Sequence, residues 1–150
     1  MQRRQLLGAA ALAATVVLVA QAGAAYAATG QQEPVKVVYH VNQDEKQALD
    51  ALRNIRNHMR ADPSAKIVVV AHSGGIRFLL DGAKDSNNAP FDATVQELKD
   101  KGVEFRVCRF TLERLNIDPK RVIPEASLVP SGVAEVSRLQ FREGFSYLKP

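Results

Sequence analysis

The chain has 150 residues, 20 basic and 16 acidic side chains, a formal net charge of +4 and a single cysteine. Arg3 and Arg4 contribute two of the basic charges, so the rest of the chain carries 18 basic against 16 acidic residues, a net charge of +2. This length fits one domain, and so small a charge without basic–aromatic clusters argues against nucleic-acid binding. The lone Cys108 excludes a disulfide within the chain.

Residues 1–27 are predicted to form a secretory signal peptide. The arginine pair precedes an apolar, small-residue run over 8–20, and an Ala-Tyr-Ala sequence follows with cleavage expected after Ala27. The pair resembles a twin-arginine signal, and an ordinary secretory signal is the alternative. Because the run is shorter than the ~20 residues of a membrane span, we expect a cleaved periplasmic protein with no stable membrane insertion and a flexible lead-in over 28–34.

The first half of the remaining chain predicts two strands and two helices. β-Branched apolar runs of this length are typical of buried parallel strands, and a stripe at helical spacing follows the first one. The predicted elements are a strand over Val35–Val41, a helix over about Asp44–Arg60 with Asn42 or Asp44 as its cap, a strand over Lys66–His72, and a short helix from Ser73-Gly74-Gly75 to near Asp81-Gly82.

The second half begins with a polar loop at Lys84–Pro90. The expected elements are a helix from an Asp92 cap to Lys101 closed by Gly102, a strand over Val103–Val107, a helical turn over Arg109–Leu115, a strand over Ser127–Pro130, a helix over about Val133–Arg142, and an edge strand or docked tail at Phe145–Leu148. This alternation predicts one α/β domain over 35–150, with a mostly parallel sheet of about five strands and helices on both faces.

Three of the apolar runs end on a side chain that can do chemistry: His40, His72 and Cys108. In open parallel sheets, ligands bind beyond the carboxyl ends of the strands. We therefore expect these three side chains to meet at one edge of the sheet.

Cys108 is the candidate nucleophile. It precedes a helical turn, whose free N–H groups favour a thiolate, and Arg106 and Arg109 are its basic neighbours. The alternative is a packed cysteine, since free cysteine is among the most buried residue types.

The residues alone also allow two other kinds of site, a metal site and an anion site. His40, His72 and Cys108 form a ligand set suited to zinc or copper, although no local spacing motif supports it. Ser73-Gly74-Gly75 joins a strand to a helix, a place where backbone N–H groups can hold a small anion. A plain tight turn is the competing interpretation of these three residues.

Three segments resemble the DsrE/DsrF-like sulfur-relay family, in its exported or uncharacterised branch. They are Val95–Cys108, in which a helix ends in Gly-Val and a strand ends in cysteine, Leu128–Glu135, and Gly144–Pro150. The resemblance implies a three-layer flavodoxin-like sandwich that assembles into homo-oligomers, trimers or hexamers. It also implies a persulfide on Cys108 that passes between donor and acceptor proteins.

The leading hypothesis is thus a periplasmic sulfur-binding or persulfide-transfer protein without independent turnover and without a cofactor. Arg106 and Arg109 would stabilise charge on Cys108, and His40 or His72 would shuttle a proton. The alternatives are the metal-binding module and a non-catalytic oligomeric module that binds a small anion.

Overall fold

A computed structural model describes residues 33–150. The predicted signal peptide, 1–27, and residues 28–32 of the predicted lead-in lie outside the described residues. Within 33–150, each helix is too short or too polar to cross a membrane.

A five-stranded parallel sheet forms the centre of the domain. The strands are β1 Lys36–Val41, β2 Lys66–Ala71, β3 Glu104–Cys108, β4 Ala126–Val129 and β5 Ser146–Leu148. They lie in the order β4-β3-β2-β1-β5, and each neighbouring pair is parallel. The predicted α/β class and strand number are confirmed, and the C-terminal segment is an edge strand beside β1.

Four α-helices connect the strands: α1 Glu45–Ala61, α2 Phe91–Asp100, α3 Arg109–Arg114 and α4 Gly132–Glu143. Two segments are 3-10 helices, Ser73–Leu79 and Pro119–Arg121. Asp44 caps α1 by accepting a hydrogen bond from the backbone N–H of Gln47, as the sequence allowed.

The predicted cap of α2 is wrong. The helix begins at Phe91 with Pro90 in the N-cap position, and Asp92 lies in its first turn. Proline lacks the N–H that a helix start would leave unpaired, and a carboxylate in the first turn interacts favourably with the helix dipole.

The two faces of the sheet bury different cores. The larger core lies under α1 and α2, and its fully buried side chains include Tyr39, Ile55, Val69, Leu98 and Phe105. The smaller core lies under α4 and consists of Val38, Val68, Val70, Val136, Leu139 and Phe145. Helices on both faces of the sheet confirm the predicted layering, and the α4 face carries the candidate site.

Candidate functional site

The structure brings His40, His72 and Cys108 to the same face and the same edge of the sheet. Side chains alternate between faces along a strand, and all three share the face that carries the core residues Val38 and Val70. His40 pairs with Val70 in register, His72 directly follows β2, and Cys108 is the last residue of β3.

The first residue of α4, Gly132, lies between His72 and Cys108. A Cβ atom at position 132 would be 2.9 Å from the Cβ of His72 and 3.2 Å from the Cβ of Cys108. Real Cβ atoms rarely approach this closely, so only glycine lets α4 start directly against the two side chains. The close approach brings the backbone N–H of Gly132 to the Cys108 sulfur.

Four side chains form a continuous hydrogen-bonded chain, which we call the Tyr147–Ser73 chain. The Tyr147 hydroxyl lies 2.8 Å from His40 Nδ1, and His40 Nε2 lies 2.6 Å from His72 Nε2. His72 Nδ1 is 2.9 Å from the Ser73 hydroxyl. Every imidazole nitrogen of the two histidines is therefore engaged within the chain.

The hydrogen bonds of this chain can run in either direction. In one arrangement Tyr147 donates to His40, His40 donates to His72, and His72 donates to Ser73. In the other, Ser73 donates to His72 and each bond is reversed. Because each neutral imidazole has one donor and one acceptor nitrogen, both arrangements satisfy all four groups.

Both histidines are held in their neutral forms near pH 7. Burial, followed by the neighbouring His72 and by Lys149, lowers the pKa of His40 to about 4. Burial and Lys149 also lower the pKa of His72. The protein thus presents a neutral imidazole pair at the site, able to accept or donate a proton.

Cys108 is only 5% exposed, yet the pKa of its thiol is lowered. Burial raises its pKa, while hydrogen bonds from the Thr111 side chain and from the backbone N–H groups of Gly132, Thr111 and Phe110 lower it, and the net pKa lies below the ordinary value. Thr111 Oγ1 accepts a hydrogen bond of 3.0 Å from the backbone N–H of Ser73. That contact leaves the Thr111 hydroxyl proton for the sulfur.

Comparison with known proteins places the chain in a family. The model of the DsrE/DsrF-like family matches residues 4–150. The chain belongs to the DsrE/DsrF-like family. This membership supports a role of the sulfur-relay type at the level of the family. No curated protein matches the chain.

Two solved structures resemble the DsrE/DsrF-like chain. MTH1491 from Methanobacterium thermoautotrophicum, described as a protein of unknown function, is 32% identical with a TM-score of 0.68. The ychN protein from E. coli is 13% identical with a TM-score of 0.65, and this likeness concerns the fold alone. Each alignment covers 77% of this chain and 99% of the other. The fold implied by the resemblance is confirmed.

The two arginines lie in different surroundings in this DsrE/DsrF-like domain. Arg106 forms ion pairs with Glu104, at 2.6 Å, and with Glu135 on α4. Arg109 is exposed at the start of α3. The groups that lower the pKa of Cys108 are the hydroxyl and backbone donors rather than either guanidinium.

In the expected anion-binding turn, close packing against the backbone is what requires Gly74 and Gly75. A Cβ at Gly74 would be 1.9 Å from the carbonyl oxygen of Gln43, and one at Gly75 would be 2.3 Å from that of Val41. The backbone N–H of Ser73 already donates to Thr111, and that of Gly75 donates to the carbonyl of His72 at 3.0 Å. The close packing therefore accounts for both glycines.

The alternative metal-ligand set of His40, His72 and Cys108 is not assembled as one centre. Across residues 33–150, no three His, Cys, Asp or Glu side chains are placed to hold a metal ion together. The physical reason is that the two imidazoles direct their Nε2 atoms at each other.

Sequence reasoning missed three residues of the site: Thr111, Gly132 and Tyr147. Thr111 lies three residues after Cys108, the spacing of one helical turn, which is a usable signal for a hydroxyl near a strand-end thiol. Gly132 follows the capping Ser131 and reads as an ordinary helix start. Tyr147 reaches His40 only because β5 pairs with β1 across most of the chain length, a contact without a local signal.

Proposed function

We propose that this protein is an exported sulfur carrier in which Cys108 accepts a sulfur atom as a persulfide and passes it to an acceptor. The observation that carries the proposal is the cluster of donors around the sulfur: the Thr111 hydroxyl and the backbone N–H of Gly132. These groups stabilise negative charge on the thiolate without a metal or a cationic side chain. The sulfur-relay role of the family supports the same chemistry.

The reaction is a thiol exchange at the outer sulfur of a donor persulfide. The Cys108 thiolate forms a bond to the outer sulfur, and the sulfur–sulfur bond of the donor breaks. The donor leaves as a thiolate with the electron pair of the broken bond, so no external oxidant is needed. Transfer onward repeats this exchange with an acceptor thiolate, and Cys108 leaves as the regenerated thiolate.

The histidine pair serves proton movement at this site. Ionisation of the thiol releases one proton, and the neutral imidazoles of His40 and His72 lie next to the site with pKa values that keep them neutral. Because a neutral imidazole has one donor and one acceptor nitrogen, it can pass a proton on by accepting at one nitrogen while it donates from the other.

The test is intact-protein mass spectrometry of the exported protein before and after incubation with polysulfide. We expect mass increases in steps of one sulfur atom for the wild type and none for Cys108→Ser, which retains the size of the side chain. A matched control places a new thiol in the exposed loop at 84–90, away from α4, as Ser86→Cys in the Cys108→Ser protein. Loading of that surface thiol at the wild-type rate, or loading of Cys108→Ser, would contradict the proposal.

The same proposal includes a homo-oligomer as the working form. Phe141 and Val133 point outward from α4 and are 91% and 58% exposed. Exposed apolar side chains along one helix are typical of a surface that another subunit covers. We take the occupant to be a second copy of the chain, in agreement with the assembly implied by the family resemblance.

A further inference from the structure

The C-terminal strand β5 contacts the site through a residue that takes no part in the sulfur exchange itself. Tyr147 lies on β5, pairs in register with Val38 of β1, and reaches His40 with its hydroxyl. Its ring also stands edge-on to the imidazole of His40, with centroids 5.6 Å apart. The tyrosine is 44% exposed, whereas the other end of the Tyr147–Ser73 chain is half-buried beside Thr111.

The end of the chain is held at the site by a second contact. The buried side chain of Gln47 lies 3.5 Å from the carbonyl oxygens of both His40 and Pro150 through its Nε2 atom. Its Oε1 atom accepts hydrogen bonds of 2.8 Å from the backbone N–H groups of Asn42 and Gln43. Residues 146–150 are therefore fixed next to His40 by β-pairing and by this glutamine.

We propose that Tyr147 is a positioning residue that holds His40 at the outer end of the Tyr147–Ser73 chain and forms the outlet of this chain to solvent. The inference rests on the proposed sulfur-carrier function. A proton that arrives at the Ser73 end shifts each hydrogen along by one bond, and one proton leaves from the Tyr147 hydroxyl to water. The chain then holds the reversed arrangement until it resets, so protons and charge balance.

This arrangement carries a proton from the Ser73 hydroxyl to solvent while both imidazoles stay engaged. The inner end of the chain lies beside the thiol, because the backbone N–H of Ser73 donates to Thr111 Oγ1 and the Thr111 hydroxyl donates to the Cys108 sulfur. This amide holds Ser73 at the site and does not itself carry the proton. Ser73 has a positive φ of 50°, a conformation that is costly outside glycine and points to a functional constraint.

The charged and titratable groups around the histidine pair come from several elements. Lys149 on the C-terminal tail lowers the pKa of both histidines. Cys108 faces the pair from β3. The ion pair between Arg106 and Glu135 lies on the same face of the sheet. Tyr147 is the group that joins the imidazole pair to solvent by a hydrogen bond.

The test compares Tyr147→Phe with Tyr39→Phe in the full exported protein. Tyr39 is a matched control, because its hydroxyl lies 3.0 Å from Nδ1 of His58 on the opposite face, so this variant also loses one tyrosine–histidine bond. Ring nitrogen NMR reports the tautomer and titration of each histidine. Mass spectrometry reports the rate of sulfur loading between pH 5 and pH 8.

We expect Tyr147→Phe to change the His40 ring signals and move its titration upward by about half a pH unit or more, because water reaches the freed Nδ1. Sulfur loading should slow by about tenfold and show a shifted pH profile, with the final extent unchanged. Tyr39→Phe should match the wild type in the signals of His40 and in loading.

The outcomes separate this inference from the function on which it rests. Unchanged His40 signals in Tyr147→Phe, or wild-type loading at every pH, would overturn the positioning role even if Cys108 carries sulfur. A wild type that takes up no sulfur would overturn the carrier function, and the NMR result would still decide whether Tyr147 positions His40.

Discussion

The ionisation of Cys108 depends on opposing contributions at a single side chain. Burial favours the neutral thiol, and each hydrogen bond from Thr111 or Gly132 favours the thiolate. The hydrogen bonds decide the chemistry, because a thiol whose pKa was affected by burial alone would be an inert packed cysteine. The donors supply the charge stabilisation that the sequence suggested for Arg106 and Arg109.

The histidine pair gives the free energy of unfolding a characteristic pH dependence. In the folded protein the pKa of His40 is about 4, below its ordinary value of 6.5, and that of His72 is also lowered. The unfolded chain therefore binds more protons between these values. The contribution of the histidine pair to the stability of the folded protein is complete above pH 6.5 and is lost as the pH falls toward 4.

We expect the unfolding free energy to fall from pH 6.5 to pH 5 by at most about 1.4 kcal/mol per pH unit for each histidine, less where solvent screens the half-exposed pair. Urea titrations across this range measure the slope, above the range in which carboxylates such as Asp50 and Glu97 protonate. His40→Gln should reduce the slope, because one of the two contributions is lost, and the double variant His40→Gln/His72→Gln should reduce it further. A wild-type slope in both variants would contradict the assignment.

At the scale of elements, the start of α4 is the contact that builds the site. The helix covers the smaller core through Val136 and Leu139, and its first residue reaches the edge of the sheet beside His72 and Cys108. The backbone at Gly132 is not in the left-handed region, so an alanine there is opposed only by crowding against His72 and Cys108. An added methyl must therefore push the helix away.

Gly132→Ala should lower the unfolding free energy by about 1–3 kcal/mol through overpacking. It should also raise the pKa of the Cys108 thiol, because the backbone N–H of residue 132 moves away from the sulfur. The ultraviolet absorbance of the thiolate against pH measures this shift. Gly144→Ala is the matched control: its φ of 72° makes alanine costly, but no atom of the site lies within 4 Å of the new methyl. An equal pKa in all three proteins would contradict the role of Gly132.

The sequence pattern predicts the elements of this domain better than their contacts. Apolar runs predict the bounds of each strand and α-helix to within two residues, because burial and helix-end chemistry are local. The Asp92 cap and the 3-10 turn Pro119–Arg121 are the exceptions, the first wrong and the second not predicted. The same patterns placed His40, His72 and Cys108 at strand ends of a parallel sheet. The hydrogen bond between the two imidazoles depends on register and rotamers, which no local pattern encodes.

The aromatic residues near the C-terminus show the same limit. From sequence, Phe141, Phe145 and Tyr147 fit either a subunit contact or the monomer core. In the structure Phe145 is buried in the smaller core, Phe141 is exposed, and Tyr147 bonds to His40. Spacing alone cannot separate these outcomes, because each depends on how β5 pairs with β1 at the far end of the chain.

At the scale of the whole molecule, the two faces of the domain differ in how completely they bury apolar side chains. The face under α1 and α2 buries the larger core, whereas α4 on the other face leaves Phe141 almost fully exposed. Burying a phenylalanine side chain contributes about 2 kcal/mol per copy. An oligomer that covers α4 would recover this free energy on the face of the sheet that carries Cys108, with Phe141 towards the opposite end of the helix from Gly132. Assembly and sulfur transfer would then share one face.

We expect the protein to be a homo-oligomer by light scattering combined with size-exclusion chromatography, and Phe141→Glu to shift it toward the monomer. The introduced carboxylate would have to be buried without a partner in the subunit contact, which is strongly unfavourable. Gln140→Glu adds the same charge at the neighbouring exposed position and should leave the assembly intact if Phe141 is the anchor. Since Phe141 contributes to neither core of the monomer, the unfolding free energy of the dissociated variant should match that of the diluted wild type. A monomeric wild type, or an oligomer unaffected by Phe141→Glu, would show that this face of α4 is not the subunit contact.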